Sequence, residues 1–138
     1  MFTYHGWIEI DDENYSRKWE SGEIDTSGFR KRILEITDEL KKLVDQVIDI
    51  PKNDYSVMEG SNGVITIHIS GHRNHYSFGP EDLLEWVRIN APCSYGIIHL
   101  MDDEHPRLDN EFRVLRLAKN KVTEFEDRFL SPYVGTVE

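Results

Sequence analysis

The sequence has a single cysteine, no long apolar run and no recognisable start of a secretory signal. Cys93 alone cannot form an internal disulfide, and so low a cysteine count is typical of a reducing compartment. No apolar stretch approaches the ~20 residues that cross a bilayer, and residues 1–5 lack the basic segment followed by an apolar one that marks secretion. We therefore expect a cytoplasmic protein that does not bind a membrane.

Motifs that bind phosphate or carry nucleophilic catalysis are also missing. Neither a glycine-rich Walker pattern nor the dinucleotide-binding fingerprint occurs in the chain. Cys93 lies between Pro92 and Ser94, and the sequence pattern places no base beside it, so we interpret it as a semi-buried structural thiol. These absences predict a protein that is not an enzyme and takes no cofactor.

Acidic residues dominate the charged positions. The chain has 26 Asp and Glu against 16 Lys and Arg, which gives a formal net charge of -10. A field of this sign disfavours nucleic acid and anionic membranes as partners and attracts basic molecules. We expect a basic protein partner, although the same charge could serve solubility alone.

The length and composition predict one globular domain over residues 1–138. At 138 residues, with 38% hydrophobic and 11% aromatic residues, the chain is too apolar for disorder and long enough for its own core. Alternating apolar residues predict strands, and apolar spacings of three and four predict helices. The predicted elements are a strand over 3–10, a helix over 29–47, strands over 55–59 and 64–70, a helix from Pro80 to about residue 89, a strand over 95–101, and strands over 111–118 and 122–125.

This order predicts an α+β fold with a mainly antiparallel sheet and two helices packed on one face. The order is βαββαβ followed by a C-terminal β-hairpin, as in ferredoxin-like folds with added strands. Asn62-Gly63 indicates the first hairpin turn. Thr26 or Ser27 is the expected cap of the first helix, whose apolar stripe extends to Val47. Residues 15–28 are expected to form a loop, with room for a short helical turn, that is tethered by its aromatics.

The strand over 95–101 is nearly continuous in apolar character, which predicts an interior strand covered on both sides. Trp7, Trp19 and Tyr76 are candidate partner contacts if they are exposed. Core packing is the stronger expectation for Trp7, and the two roles are equally expected for Trp19 and Tyr76. The tail over 129–132 is apolar enough to dock on the domain.

Two acidic clusters are candidate partner-binding sites. The first, Asp11, Asp12 and Glu13, follows the first strand, and the second, Asp102, Asp103 and Glu104, follows the strand over 95–101. The predicted fold makes these two strands antiparallel neighbours, so the clusters should form separate patches at opposite ends. Ordinary solvated turns are the alternative interpretation.

A dense polar segment over residues 70–75 is a third candidate. It contains His72, Arg73 and His75 and is predicted to be the loop that follows the strand over 64–70. The two histidines could bind a metal, but a closed site needs four ligands and the sequence supplies no second spaced pair. We predict a structural or partner-contacting loop and no metal.

Five short segments carry a resemblance to a known family. They are, in chain order, Tyr4-His5-Gly6-Trp7-Ile8, Ser70-Gly71-His72-Arg73-Asn74-His75, Ala91-Pro92-Cys93-Ser94-Tyr95-Gly96-Ile97-Ile98, Asp102-Asp103-Glu104 and Phe129-Leu130-Ser131-Pro132. Together they resemble the immunity protein 7 family of bacterial polymorphic toxin systems. Cys93 departs from the family pattern, in which a glycine lies between the proline and the serine, and this puts the turn geometry there in question.

The resemblance implies an α+β protein, encoded beside a toxin, that protects its producer by binding the toxin domain. It implies no catalytic residues and does not fix the toxin's reaction. A nuclease fits the acidity of the chain, because a nuclease needs a cationic surface for its substrate. The alternatives are a small metal-dependent enzyme that uses His72 and His75, and a binding scaffold unrelated to toxins.

Overall fold

A computed structural model of the chain describes residues 1–60 and 63–134, without the side chains of Glu13 and Asn14. Within these residues a six-stranded antiparallel sheet has the order β2-β3-β1-β4-β5-β6. The elements are β1 (Phe2–Asp12), α1 (Glu13–Glu20), α2 (Thr26–Leu43), β2 (Tyr55–Glu59), β3 (Ile65–Arg73), α3 (Gly79–Asn90), β4 (Cys93–Asp102), β5 (Phe112–Ala118) and β6 (Lys121–Glu126). The predicted α+β fold class is confirmed.

The core lies between one face of the sheet and the two longer helices. Side chains at alternate strand positions, such as Tyr4 and Ile8 in β1, are fully buried together with Leu40 of α2 and Leu84 of α3. The side chains between them point to the other face, which we call the open face. Strands β1 and β4 are antiparallel neighbours, as predicted.

Helix α2 begins and ends differently from the prediction. The carboxylate of Asp25, rather than Thr26 or Ser27, caps it by accepting the N–H of Gly28 at 2.8 Å. The helix ends at Leu43 because Val44 adopts an extended conformation with ψ of 134°, and Asp45 after it is left-handed with φ of 69°. Val47 therefore leaves the apolar stripe and is 74% exposed, so its predicted place in the core was wrong.

Residues 13–20, most of which were predicted to lie in a loop, form the two-turn helix α1. The Asp12 carboxylate lies 3.4 Å from the Tyr15 amide at its first turn. The Trp19 ring stacks on Phe29 of α2, with ring centroids 4.8 Å apart. This stack is the aromatic tether that the sequence predicted.

Strand β3 continues through the segment that the sequence assigned to a loop. It ends at Arg73, and Gly71 pairs with Tyr4. A side chain at Gly71 would collide with the Tyr4 ring, so glycine is needed here for β3 to continue beside β1. The Tyr4 hydroxyl donates to Asp54 at 2.6 Å, which holds the ring in place. His72 consequently lies on a strand.

Strand β4 is interior to the sheet, as predicted, but the expectation of cover on both sides was wrong. Ile98 and Leu100 are fully buried against the helices, whereas Tyr95 on the open face is 44% exposed.

The hairpin between β5 and β6 turns at Lys119 and Asn120, both with positive φ, as a two-residue turn requires. In the first hairpin, Asn62 lies outside the described residues and β2 pairs with β3 as predicted.

Cys93, where the resemblance leads us to expect glycine, starts β4 with a φ of 76°. Its N–H donates to the Asn120 side chain at 2.9 Å, which holds the backbone in this conformation. A side chain in the left-handed region is disfavoured relative to glycine.

We predict that Cys93→Gly is more stable than Cys93→Ala by about 1 kcal/mol, because both variants remove the thiol and only alanine keeps the Cβ in the left-handed region. Urea denaturation followed by tryptophan fluorescence measures the difference. Equal stability of the two variants would show that the positive φ carries no strain.

Asp49 ties the end of β3 to the segment that precedes α3. Its carboxylate lies 2.8 Å from the guanidinium of Arg73 and accepts the Ser77 hydroxyl at 2.8 Å. The hydrogen bond from Arg73, and next that from Ser77, lower the pKa of the Asp49 carboxyl. The tether fixes the chain on both sides of His75.

We predict that Asp49→Asn lowers the free energy of unfolding at pH 7 by at most about 1 kcal/mol, because the carboxylate is 61% exposed and therefore screened. A carboxyl whose pKa is lower in the folded state contributes stability above its unfolded pKa and loses it as the pH falls through the folded value. The difference from wild type should therefore shrink as the pH falls below about 4 and vanish below the lowered pKa of the folded state.

Urea denaturation between pH 7 and pH 2.5 tests this dependence. Asp109→Asn is the matched control, since Asp109 is exposed and forms no ion pair within the described part of the chain. A difference for Asp49→Asn that persists unchanged at acidic pH would contradict the assignment.

Candidate functional site

The second acidic cluster and the His72–His75 segment meet at one end of the sheet. Phe2 at the start of β1 pairs with Arg73 on one side and with Asp102 on the other. The Nδ1 atom of His75 lies 2.6 Å from Oε1 of Glu104. Two candidates separated by 29 positions in the sequence thus form one polar surface.

The carboxylates of this cluster differ in exposure. Asp102 is 7% exposed and accepts the N–H of Glu104 at 3.0 Å, so it has a structural role. The side chains of Asp103 and Glu104 are 45% and 54% exposed. Oδ1 of Asp103 lies 2.7 Å from the amino group of Met1, and this hydrogen bond raises the pKa of the amine.

The first acidic cluster lies at the opposite end of β1. Asp11 accepts the hydroxyl of Ser16, while Asp12 is 8% exposed and lies 3.9 Å from Arg32. The side chain of Glu13 lies outside the described residues. The structure places the two clusters at opposite ends of the sheet, as predicted from the topology, roughly 25–30 Å apart along the strand.

The metal interpretation of the histidines gains no geometric support. Nδ1 of His72 lies 2.9 Å from the Thr3 hydroxyl, and His75 bonds Glu104 instead. Among the described residues, the group of three side chains close enough to share an ion is Asp102, Asp103 and Glu104, which contains neither histidine. Arg73, the third residue of this candidate segment, forms an ion pair with Asp49.

The open face carries exposed aromatic side chains that the sequence interpretation missed. Trp7 is 40% exposed, so the prediction that it packs in the core was wrong. Its ring meets Tyr95 edge-on, with centroids 5.9 Å apart, and the Tyr95 hydroxyl donates to Glu9. This hydrogen bond, followed by partial burial, raises the pKa of Tyr95.

A signal for this face was present in the sequence. Trp7 shares its side of β1 with Thr3, His5 and Glu9, which are poor core residues. Two helices packed on one side of a sheet leave the other side for these residues. The other two aromatic candidates differ in exposure. Trp19 is 38% exposed, whereas Tyr76 is half-buried against Phe2.

The C-terminal segment over 129–132 was expected to dock by its apolar side chains, and for Phe129 this was wrong. Asp127, which is 3% exposed, accepts the N–H groups of Phe129 and Leu130 at 3.1 and 3.2 Å. Its other carboxylate oxygen lies 2.6 Å from Nδ1 of His99 on β4. The backbone of this turn is anchored to the sheet while the Phe129 side chain is 99% exposed.

These places share exposed side chains beside polar groups that bond within the chain. Each polar group has partners that fix its position, and the aromatic side chains are displayed on a rigid sheet. In the described part of the chain, no helix combines the length and the apolar character needed to cross a bilayer.

No curated protein and no solved structure matches the chain significantly. The family model described as immunity protein 7 matches residues 1–138, the whole chain. The match confirms the resemblance carried by the five sequence segments and agrees with the α+β architecture. The chain belongs to the immunity protein 7 family, and it is an immunity protein against a toxin.

Proposed function

We propose that this immunity protein neutralises its toxin by stoichiometric binding, in which acidic groups of this chain meet a basic surface of a nuclease domain. The observation that carries the proposal is the net charge of -10 together with an acidic cluster at each end of the central strands. Nucleases must attract a polyanionic substrate, so the surface to be blocked is cationic. Charge complementarity would speed the encounter and reject wrong partners.

The exposed carboxylates are the ones that can contact a basic surface of the toxin. Asp103 and Glu104 keep about half of their side-chain surface in contact with solvent, and Asp11 at the other end is partly exposed. Asp12 and Asp102 are buried and stabilise the fold. Substitutions that test the electrostatic contribution should therefore spare these two.

The proposed mechanism needs no turnover by this chain. A bound immunity protein would keep nucleic acid out of the toxin's cleft for as long as the complex lasts, and binding alone is enough for this. His75 and Arg73 would contribute by position, since their bonds to Glu104 and Asp49 hold this end of the sheet rigid.

A titration tests stoichiometric neutralisation. The purified toxin domain encoded beside this gene is held at a fixed concentration well above its Kd, and the immunity protein is added while nucleic-acid cleavage is measured. Activity should fall linearly and end at one chain per toxin domain. Full inhibition far below one equivalent, or cleavage unaffected by excess chain, would contradict the proposal.

We predict that the double variant Asp103→Lys, Glu104→Lys associates with the toxin domain at least about tenfold more slowly at low salt and with a weaker salt dependence. The reason is the loss of steering by an exposed patch. Stopped-flow association kinetics at two salt concentrations measure the effect, and Asp11→Lys tests the other end separately.

The matched control is Asp38→Lys, Glu39→Lys on the exposed side of α2, which changes the net charge equally but lies in the helix layer. It should slow association much less. If the control slows association as much as the cluster variant does, net charge rather than either patch is responsible. Unchanged kinetics for every variant would reduce the acidity to a solubility trait.

A further inference from the structure

The open face of the sheet is poor in charge in a strongly acidic protein. On the described residues of β3, β1 and β4 that point to this side, the carboxylates are Glu9 and, at the end of β1, Asp11, and lysine and arginine are absent. Arg116 and Lys121 lie on this side of the outer strands β5 and β6. Glu9 itself accepts the hydroxyl of Tyr95. Interface centres are depleted in charge and enriched in aromatic residues, which is the composition found here.

The size of the face suits a protein partner. Six strands about 4.8 Å apart and roughly eight residues of about 3.3 Å rise give a surface of about 24 by 27 Å, or roughly 650 Å² before side-chain relief. Standard protein–protein interfaces bury about 800 Å² on each partner. The acidic clusters lie at the two ends of this surface, where an interface has its polar rim.

Two sets of aromatic side chains on this face project from anchored backbone. Trp7 and Tyr95 form an edge-on pair on the two central strands, and the bond to Glu9 fixes the Tyr95 ring. Phe129 projects from the turn that Asp127 anchors to His99. The paired Trp7 and Tyr95 rings lose little conformational freedom on binding, and Phe129 offers a fully exposed ring, which favours all three as anchors.

A cavity of about 370 Å³ lies beside Phe129 on the same face. Its walls include Ile97 of β4, Val114 of β5 and Phe125 of β6, and the Arg116 guanidinium lies 4.8 Å from the centre of the Phe125 ring. The lining is largely apolar and accepts a buried aliphatic or aromatic side chain. The exposed Phe129 ring therefore lies next to a cavity that suits a side chain of the partner.

We propose that the open face is the surface on which the toxin domain docks, with Trp7, Tyr95 and Phe129 as its anchors. The inference rests on the proposed function, and it names the surface that binding uses. The partner fitting this surface is a folded toxin domain that presents an apolar ridge, one side chain of which enters the cavity beside Phe129. Basic residues at the two ends of that ridge meet the acidic clusters.

Substitution of the anchors tests the docking surface. Phe129→Ala and Trp7→Ala should each raise the Kd for the toxin domain about 10- to 30-fold, and the double variant about 100-fold or more, as expected of interface hot spots. Isothermal titration calorimetry with a catalytically inactive toxin domain measures the Kd. Because the Phe129 side chain is 99% exposed, its removal leaves the fold intact, which thermal denaturation checks.

Ile89→Ala and Val47→Ala are the matched controls. Both side chains are apolar and more than half exposed, at 59% and 74%, but lie at the end of α3 and after α2. Their Kd should stay within about twofold of wild type, because exposed apolar residues outside an interface contribute nothing to it. An equal loss of affinity in the controls would overturn the assignment of the open face.

The outcomes separate the two proposals. If the wild-type chain binds and the Trp7 and Phe129 variants bind equally well, the docking surface is overturned and stoichiometric inhibition stands. If the wild-type chain does not bind the toxin domain, both are overturned. Should light scattering show a dimer of the free chain that Phe129→Ala dissociates without changing the toxin Kd, a second copy occupies the face and the proposal fails.

Discussion

One-sided burial of the sheet is the constraint on which the rest of this structure depends. Helices α2 and α3 cover one face of six antiparallel strands, and their apolar side chains complete a core with the inward residues of β1, β3, β4 and β5. Most strand residues that point the other way are exposed or half-buried, although Met101 of β4 is fully buried. The histidines, threonines and exposed aromatic rings of the open face follow from this division.

Acidic residues in this protein have two separable tasks. Asp12, Asp102 and Asp127 are nearly buried and hold the chain ends and turns through backbone N–H groups and side-chain partners. Others, such as Asp103 and Glu104, remain exposed at the rim of the sheet. The sequence shows these residues as two uniform clusters, and burial divides each of them into a structural and a surface part.

Local pattern was sufficient to predict most elements. The alternation in β1 and β3, the apolar spacing of α2 and the turn residues of the β5–β6 hairpin act over a few residues, so the sequence reveals them directly. The short helix α1 and the extension of β3 depend on contacts between distant residues, namely Trp19 with Phe29 and Gly71 with Tyr4. The end of α2 depends on the conformations of two residues, the extended Val44 and the left-handed Asp45.

The candidate site was less predictable for the same reason. The acidic clusters and the His72–His75 segment were found because each is contiguous, but the bond between His75 and Glu104 exists because β3 and β4 flank β1. The aromatic side chains of the open face were assigned to the core because hydrophobicity does not reveal which side of a strand is covered. Knowing that both helices lie on one face supplies the missing information.

The central claim is that the toxin domain covers the open face. Hydroxyl-radical footprinting of the free chain and of the 1:1 complex, read by mass spectrometry, reports the exposure of each aromatic side chain directly. The account predicts that oxidation of Trp7, Tyr95 and Phe129 falls several-fold in the complex while that of Phe78 beside α3, which is 64% exposed, stays the same. Undiminished oxidation of all three in a saturated complex would contradict it.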